Sequence, residues 1–427
     1  MVHARMALIA IILSATSLSK AAEAIVRTGI EDPRLASFDR LMTSFLAERK
    51  VPGAAIAVAR NGRLVYSRGF GYADVQQKVP VQPNSLFRIA SVSKPFTSAA
   101  VMLLVQQGKL RLDDHWYPVL RMSPLPGEHL DEGLKQITIR ELLQHRGGWD
   151  RNKSFDPMFR PVLIARKLGT APPAGPRQVI QYMLGQPLDF APGERYAYSN
   201  FGYCILGRVI EQVSHEPYDQ FVRQHVLLPL GIRDMRLGRS LPQFRAAGEV
   251  KYYSHGTGES VFASNLGRPV PWCYGGWNLE AMDSHGGWIA SAVDLVRFGC
   301  SFDQGAQPAI VLPDSIRQLF ARPPGEAGFE PDGKPKVVYY GCGWSVRIVG
   351  PGRINTWHNG LFDGTSSLLV RRWDGLTWAV IFNTDRDAKE KVLSDLIDPL
   401  LHGAADEVKQ WPQKDLFGQY LQPSRGD

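Results

Sequence analysis

Apolar and polar positions along this 427-residue chain follow two different periods. Residues 33–49 carry apolar side chains at helical spacing, which predicts a helix. Two strand-like runs then flank Asn61-Gly62, a dipeptide typical of a two-residue hairpin turn. The apolar stretch 95–107 again has helical length. The pattern therefore predicts a helix, an antiparallel sheet and a second helix, in that order.

The pattern changes in the middle of the chain and changes back near its end. Between residues 110 and 285 it predicts mostly helices and loops. Beyond residue 285 strand-like runs return, including a hairpin around Asp374-Gly375, and a helix is predicted within 388–401. Sheet signals at both ends of a helical middle predict an α/β fold, in which an antiparallel sheet is flanked by N- and C-terminal helices and carries an all-α insertion.

The length of the chain agrees with this organisation. A chain of 427 residues exceeds one compact core of typical size, so two domains, or one domain with a large insertion, are expected. We predict a sheet domain at 25–109 plus 286–405, a mostly helical domain at 110–285 and a C-terminal tail at 406–427.

The first residues of the chain have the features of a secretory signal. Arg5 precedes a short apolar stretch at 6–13, and Ala22 and Ala24 form an A-x-A cleavage site. A signal peptide over 1–24 and an exported, periplasmic or secreted, mature protein are therefore predicted. An uncleaved anchor is the alternative, although the apolar stretch is shorter than the roughly 20 residues of a membrane span.

Export would place the four cysteines where disulfides can form. They are Cys204, Cys273, Cys300 and Cys342, and three pairings stay open. Cys204 and Cys342 lie in apolar runs, where a small buried side chain is more typical than a bridge.

Composition excludes several classes of function. The chain is 44% hydrophobic and 21% charged, which is typical of a soluble globular protein. Its net charge is +8, but the basic residues are scattered, with no run longer than Arg371-Arg372, so nucleic-acid binding is not indicated. Neither C-x-x-C nor another metal-ligand spacing occurs, and no metal or organic cofactor is predicted.

Ser91 and Lys94 in "ASVSKPFTS" are a candidate catalytic pair. Spacing i, i+3 puts both side chains on one face at the start of the predicted helix. A serine hydroxyl needs a base within hydrogen-bond reach, and the free N–H groups of a helix start can stabilise developing negative charge. The spacing alone is weak, because Ser17 and Lys20 repeat it inside the predicted signal segment.

Two further stretches supply the remaining candidate chemistry. Tyr198 and Asn200 lie in a loop, and a tyrosine near two cationic groups can have a lowered pKa and act as a base. The alternatives are that Tyr198 is a half-buried core aromatic and that Asn200 caps the following helix. His358 lies on a late strand and could supply a proton or meet a substrate carboxylate as an imidazolium. The alternative is a neutral His358 that only hydrogen-bonds and shapes the cleft. His145 and His285 share its His-x-Gly pattern, but neither follows the tyrosine motif on a strand.

These stretches together resemble the superfamily of serine β-lactamases and penicillin-binding proteins, especially its class C β-lactamase-like branch of esterases and D-peptidases. The resemblance covers residues 37–400. Its carriers include "FRIASVSKPFTSAAVMLLVQQGKLRLDD", "PGERYAYSNFGYCILGRVIEQVS" and "WHNGLFDGTSSLLV", in the order and spacing of that family.

The resemblance implies a role for each matching residue. Ser91 would be the nucleophile with Lys94 as its partner, and Tyr198 the shared base and acid. Asn200 would contact the substrate amide, and His358 with Gly360 would match a motif that begins with lysine in many relatives. The backbone N–H groups of Ser91 and Leu361 would form the oxyanion hole. The resemblance thus implies catalytic roles for Ser91, Lys94 and Tyr198, and substrate-binding roles for Asn200, His358, Gly360 and Leu361.

The chain also departs from the family pattern. Lys-Thr-Gly and Lys-Ser-Gly are both absent, which disfavours an efficient β-lactamase or a D-Ala-D-Ala carboxypeptidase. A Gly-x-Ser-x-Gly elbow is absent too, which argues against an ordinary α/β-hydrolase. Leu361 is bulkier than the small residue often found at its position, so its side chain is expected to narrow the cleft.

The sequence thus predicts an exported serine hydrolase that works through an acyl-enzyme. Its substrate is expected to be a small ester, a D-amino-acid peptide or amide, or a β-lactam, in falling order. No stable membrane span or nucleic-acid partner is expected, and the oligomeric state stays open. The rival hypotheses are a penicillin sensor that acylates without turnover, and a non-catalytic scaffold, which would not need Ser91, Lys94 and Tyr198.

Overall fold

The computed structural model describes residues 24–303, 305–306 and 310–420. The predicted signal segment, except for residue 24, and the last seven residues of the predicted tail lie outside this range. Among the described residues, no helix has both the length and the apolar composition that crossing a bilayer requires.

A large antiparallel sheet combines strands from both ends of the chain. The strands of the protein are β1 (Arg27–Gly29), β2 (Gly53–Arg60), β3 (Arg63–Asp74), β4 (Val79–Pro80), β5 (Phe87–Arg88), β6 (Arg236–Leu237), β7 (Thr257–Glu259), β8 (Pro269–Pro271), β9 (Trp288–Ala290), β10 (Val338–Tyr340), β11 (Ser345–Gly350), β12 (Arg353–Phe362), β13 (Thr365–Arg371) and β14 (Leu376–Phe382). The strand order of the large sheet is β1-β3-β2-β14-β13-β12-β11-β10, and β4 pairs with β3. A three-stranded sheet has the order β5-β9-β6, and β7 pairs with β8.

Helices cover the large sheet on both faces and form most of the chain between its two sheet-forming ends. The helices are α1 (Ala36–Arg49), α2 (Ser93–Gln106), α3 (Trp116–Leu120), α4 (Ile139–Leu143), α5 (Pro161–Lys167), α6 (Pro176–Met183), α7 (Asn200–Ser214), α8 (Tyr218–Val222), α9 (Ala292–Cys300), α10 (Pro313–Leu319) and α11 (Leu393–Asp406). The α/β fold with an antiparallel sheet is therefore confirmed. The middle of the chain is not all-α as predicted, because the short strands β6, β7 and β8 lie within it. The domain boundaries at 109/110 and 285/286 stay a prediction.

Strand β2 shows how the sequence pattern builds the two layers. Its side chains alternate between the faces of the sheet, because successive Cβ atoms of a strand point in opposite directions. Ile56 and Val58 belong to the core that includes residues of α1 and α11. Ala55, Ala57 and Ala59 belong to the core on the other face, which includes residues of α2 and α9. The alanines allow α9 to lie close to the strand.

Both predicted hairpins are confirmed. Asn61 and Gly62 join β2 to β3 with φ angles of 49° and 74°, in the left-handed region that a two-residue turn of this kind requires. Gly375, with φ of 83°, lies in the turn between β13 and β14. The predicted helix at 33–49 is a single 3₁₀ turn followed by α1, and the one at 95–107 is α2, which begins two residues earlier.

The four cysteines are free thiols, and each is buried. Cys204 and Cys342 have no exposed surface, as their apolar surroundings predicted. Burial raises the pKa of Cys204, Cys300 and Cys342 to about 12, so these thiols are not reactive thiolates at neutral pH.

Gly360 on β12 allows this strand to lie directly beside the turn that carries Ser91. A Cβ atom at Gly360 would collide with the carbonyl oxygen of Ile89 and would lie 3.1 Å from the Cβ of Ala90. The same carbonyl of Ile89 accepts a hydrogen bond of 2.7 Å from the hydroxyl of Ser367 on β13. The close approach of two backbones, rather than a turn, therefore requires glycine here.

We expect Gly360→Ala to lower the free energy of unfolding by about 1–3 kcal/mol, because the added methyl group forces two backbone segments apart. Gly350→Ala on the neighbouring strand β11 is the matched control, since its Cβ would make only an ordinary contact of 3.7 Å with Arg353. That control should stay within about 0.5 kcal/mol of the parent protein. Urea unfolding measures both, and equal stabilities for the two variants would contradict the close approach.

Candidate active site

Ser91 lies on a strained turn immediately before helix α2. The 3₁₀ turn Ala90–Val92 leads directly into the helix, and Ala90 has a φ of 46°, a conformation that a residue with a side chain rarely adopts. Two hydroxyls hold the preceding backbone, because Thr365 donates to the carbonyl of Arg88 and Ser367 to that of Ile89. The turn leaves Ser91 half-buried, whereas the helix that follows is buried along most of its length.

Lys94 is the second residue of α2 and has no exposed surface. Its Nζ lies 3.1 Å from Ser91 Oγ, 2.8 Å from Asn200 Oδ1 and 3.0 Å from the carbonyl oxygen of His285. Burial lowers the pKa of Lys94 well below its ordinary value, and the cation of Arg151 lowers it further, while Asp156 opposes the change.

Asn200 begins α7 and connects Lys94 to Asp156. Its Nδ2 donates a hydrogen bond of 2.7 Å to Asp156 Oδ2, which leaves its Oδ1 facing Lys94. Ser199 caps α7 instead, since its Oγ accepts from the N–H of Gly202. The alternative that Asn200 caps this helix is therefore wrong.

Asp156 is a site residue that the sequence analysis missed. It precedes a 3₁₀ turn, Pro157–Phe159, and its Oδ1 accepts from the N–H of Met158. Both carboxylate oxygens therefore accept hydrogen bonds, although burial raises the pKa of this group. An Asp-Pro pair predicts a turn or a cap. No sequence pattern indicates that this carboxylate contacts Asn200.

Tyr198 donates a hydrogen bond of 2.8 Å from its hydroxyl to Ser91 Oγ. Its ring packs on that of His145 with centroids 4.2 Å apart, and Lys94 Nζ lies 4.7 Å from the ring centroid. The expected lowered pKa is not found, because burial raises the pKa of Tyr198 above its ordinary value and outweighs the cation of Arg151. Tyr198 is therefore a protonated donor in the resting site.

His358 lies close to Lys94 but does not carry the charge that the sequence predicted. Only 3% of its surface is exposed. Its Nδ1–H donates to the carbonyl of Asn359 at 2.7 Å, and its Nε2 accepts from the hydroxyl of Tyr340 at 2.9 Å. Burial lowers the pKa of His358 to about 3. The ring is therefore neutral, which agrees with the alternative in which it only hydrogen-bonds and shapes the cleft.

The other two His-x-Gly histidines are also buried beside the site. His145 Nδ1 accepts from the N–H of Ser199, which holds the loop that carries Tyr198. His285 contributes its carbonyl oxygen to Lys94 rather than its ring. Backbone contributions of this kind have no signature in a sequence. Burial lowers the pKa of both imidazoles well below the ordinary value.

The last two predicted site residues lie on β12, next to the Ser91 turn. Gly360 makes the close approach described above, and Leu361 is half-buried and pairs with Ser366 in the sheet register. The aromatic ring of Phe362 packs against Trp277, with centroids 4.7 Å apart.

Within the described part of the chain, no group of three or more His, Cys, Asp or Glu side chains is arranged to hold a metal ion.

A family model described as Beta-lactamase matches residues 38–400. The chain therefore belongs to this family and is related to the penicillin-binding proteins. Penicillin-binding protein 4* of Bacillus subtilis (strain 168) is 27% identical over 380 residues, which cover 86% of this chain and 76% of that protein. Protein flp of Staphylococcus aureus (strain MW2) is 30% identical over 195 residues, and this match spans 46% of the chain and only 36% of flp.

Solved structures share the fold. The octameric penicillin-binding protein homologue from Pyrococcus abyssi aligns with a TM-score of 0.63 at 24% identity, over 91% of this chain and 79% of that one. The D-amino acid amidase from Ochrobactrum anthropi SV3, in complex with D-phenylalanine, aligns with a TM-score of 0.65 at 22% identity, over 87% and 98% of the two chains. At these identities the likeness establishes the fold alone.

Proposed function

We propose that the protein cleaves ester or amide bonds through an acyl intermediate on Ser91, with Lys94 as the base that takes its proton. The observation that carries this proposal is the set of partners around Lys94 Nζ. A neutral amine has two N–H groups and one lone pair. The oxygens of Asn200 and His285 can only accept, so they take the two N–H groups. The lone pair then faces Ser91 Oγ.

The direction of the Asn200 amide follows from Asp156. A carboxylate accepts hydrogen bonds but does not donate, so the Asn200 Nδ2 must face it and the Oδ1 must face Lys94. Asp156 is therefore a positioning residue. Its negative charge also keeps the pKa of Lys94 from falling further.

The first step forms a bond between Ser91 Oγ and the carbonyl carbon, while the Oγ proton moves to Lys94. The N–H groups of Ser91 and Leu361 are the proposed donors to the resulting oxyanion. Tyr198, which is protonated and 2.8 Å from Ser91 Oγ, gives its proton to the leaving group and regains one from the Lys94 ammonium. Water then attacks the acyl group by the reverse proton path, which restores Ser91.

The substrates that we propose are small esters first, then D-amino-acid peptides or amides, then β-lactams. The absence of a lysine at the position of His358 supports this order, because many relatives carry a cation there. The neutral ring of His358 does not replace that cation. The name of the D-amino acid amidase, whose fold this chain shares, keeps amides in the set.

We also propose that the protein is exported. This proposal is supported by Arg5, the apolar stretch 6–13 and the A-x-A site at Ala22 and Ala24. N-terminal sequencing of the mature protein should find a first residue between Ala22 and Ile25. A soluble protein that begins at Met1 would contradict export.

We expect a fluorophosphonate to form one covalent adduct with the protein, and peptide mapping to place it on Ser91. Ser91→Ala should lose the adduct and at least about a thousandfold in the rate of p-nitrophenyl ester hydrolysis, because the nucleophile is gone. Ser93→Ala is the control, since Ser93 is a buried helix residue two positions away.

The same experiment separates hydrolysis from its rivals. Continued release of p-nitrophenol beyond one equivalent supports an enzyme, whereas a single burst would show a sensor that does not turn over. An adduct on another serine, or full activity of Ser91→Ala, would contradict the mechanism.

A further inference from the structure

An anionic substrate would need a cation other than His358. The neutral ring of His358 cannot attract an anion, and Lys94 has no exposed surface and uses its N–H groups within the site. A third basic residue lies at this site, and the sequence analysis did not single it out. The guanidinium carbon of Arg151 lies 5.0 Å from the ring centroid of Tyr198, and Arg151 is exposed.

The turn that carries Arg151 is fixed by its neighbours. The carboxylate of Asp150 accepts hydrogen bonds from the backbone N–H of Asn152 and from the guanidinium of Arg195. The backbone N–H of Asp150 donates to the carboxylate of Asp189. Lys153 donates to the carbonyl of Asp189 at 2.7 Å. The other cations of this turn are therefore engaged in holding it, and its backbone presents Arg151 in a defined position.

The guanidinium of Arg151 makes no ion pair and no hydrogen bond with another described residue. The ion pairs found there include Arg195 with Asp150 but none with Arg151. The carboxylate of Asp156, which is close enough to influence the site, accepts from Asn200 and Met158 instead. An exposed guanidinium with all of its N–H donors available, stacked on the ring of a site tyrosine, is suited to bind a carboxylate.

We propose that Arg151 is the specificity-determining residue that binds a carboxylate on the leaving group of the substrate. This inference rests on the proposed function, in which Tyr198 gives its proton to the leaving group. In that mechanism the hydroxyl of Tyr198 meets the leaving group, and Arg151 lies against the ring of Tyr198, so a carboxylate on the leaving group is the one that we assign to Arg151. The preferred substrates are therefore esters or amides that release an anionic alcohol or amine.

The test compares two matched pairs of esters. The first pair is 3-carboxyphenyl butyrate and 3-carbamoylphenyl butyrate, which differ in the charge of the leaving group. The second pair is mono-p-nitrophenyl glutarate and p-nitrophenyl 5-methylhexanoate, which differ in the charge of the acyl group. Each ratio of kcat/KM is followed across variants, so the intrinsic reactivities of the esters cancel.

Arg151→Gln should lower the anionic-to-neutral ratio of the first pair by roughly three- to tenfold, through KM rather than kcat. The ratio of the second pair should not change. Arg151→Glu should lower the first ratio further. Arg166→Gln is the charge-matched control, because Arg166 is exposed on α5 and should leave both ratios as they are. The wild-type ratio should also be constant from pH 5.5 to 8, since a guanidinium does not titrate there.

Three results would overturn the inference: an unchanged first ratio in Arg151→Gln, an equal loss in Arg166→Gln, or a loss confined to the second pair. An effect of Arg151 on Lys94 alone would slow both members of each pair equally and would also contradict it. If the neutral esters are hydrolysed and Ser91 is labelled, such results leave the proposed function intact. Failure of the wild-type protein to hydrolyse any ester or to label Ser91 would remove the proposed function and this inference with it.

Discussion

The burial of Lys94 is the constraint on which the site depends. An ammonium group without exposed surface loses its hydration, so burial favours the neutral amine unless a nearby carboxylate compensates. Here the negative charge of Asp156 is separated from Lys94 by the amide of Asn200. This arrangement orients the lysine without pairing it directly with an anion, and a lysine that is easily deprotonated can serve as a base at neutral pH.

The fold supplies the contacts of Lys94 from distant parts of the sequence. Ser91 and Lys94 come from the start of α2, Asn200 from the start of α7, and the carbonyl of His285 from the segment before β9. Strand β12, from the C-terminal end of the chain, closes against the Ser91 turn because Gly360 has no side chain. The sheet made from both chain ends and the helical middle therefore meet around the Ser91 turn and Lys94.

Much of this arrangement could be predicted from sequence, but only where a residue type carries the signal. Asn61-Gly62 predicted its hairpin because few residues adopt the φ angles of that turn. The sequence of β2 is apolar almost throughout, so only the structure assigns its side chains to the two faces of the sheet. The grouping of Ser91, Lys94, Tyr198 and Asn200 followed from motifs. The charge of His358 and the pKa of Tyr198 did not, because burial decides both and sequence spacing does not report it. Asp156 and the carbonyl of His285 act through tertiary contacts that leave no local pattern.

The pKa of Lys94 in the resting protein tests the central claim most directly. NMR of protein with ¹³C-labelled lysine ε-carbons follows each lysine through a pH titration, and Lys94→Arg assigns the signal of Lys94 by its loss. The account predicts that Lys94 titrates well below the ordinary lysine value of about 10.4. Asp156→Asn should lower its pKa further, because the variant can still accept from Asn200 but no longer carries a negative charge. Titration of Lys94 together with ordinary lysines near that value, in both proteins, would contradict the account.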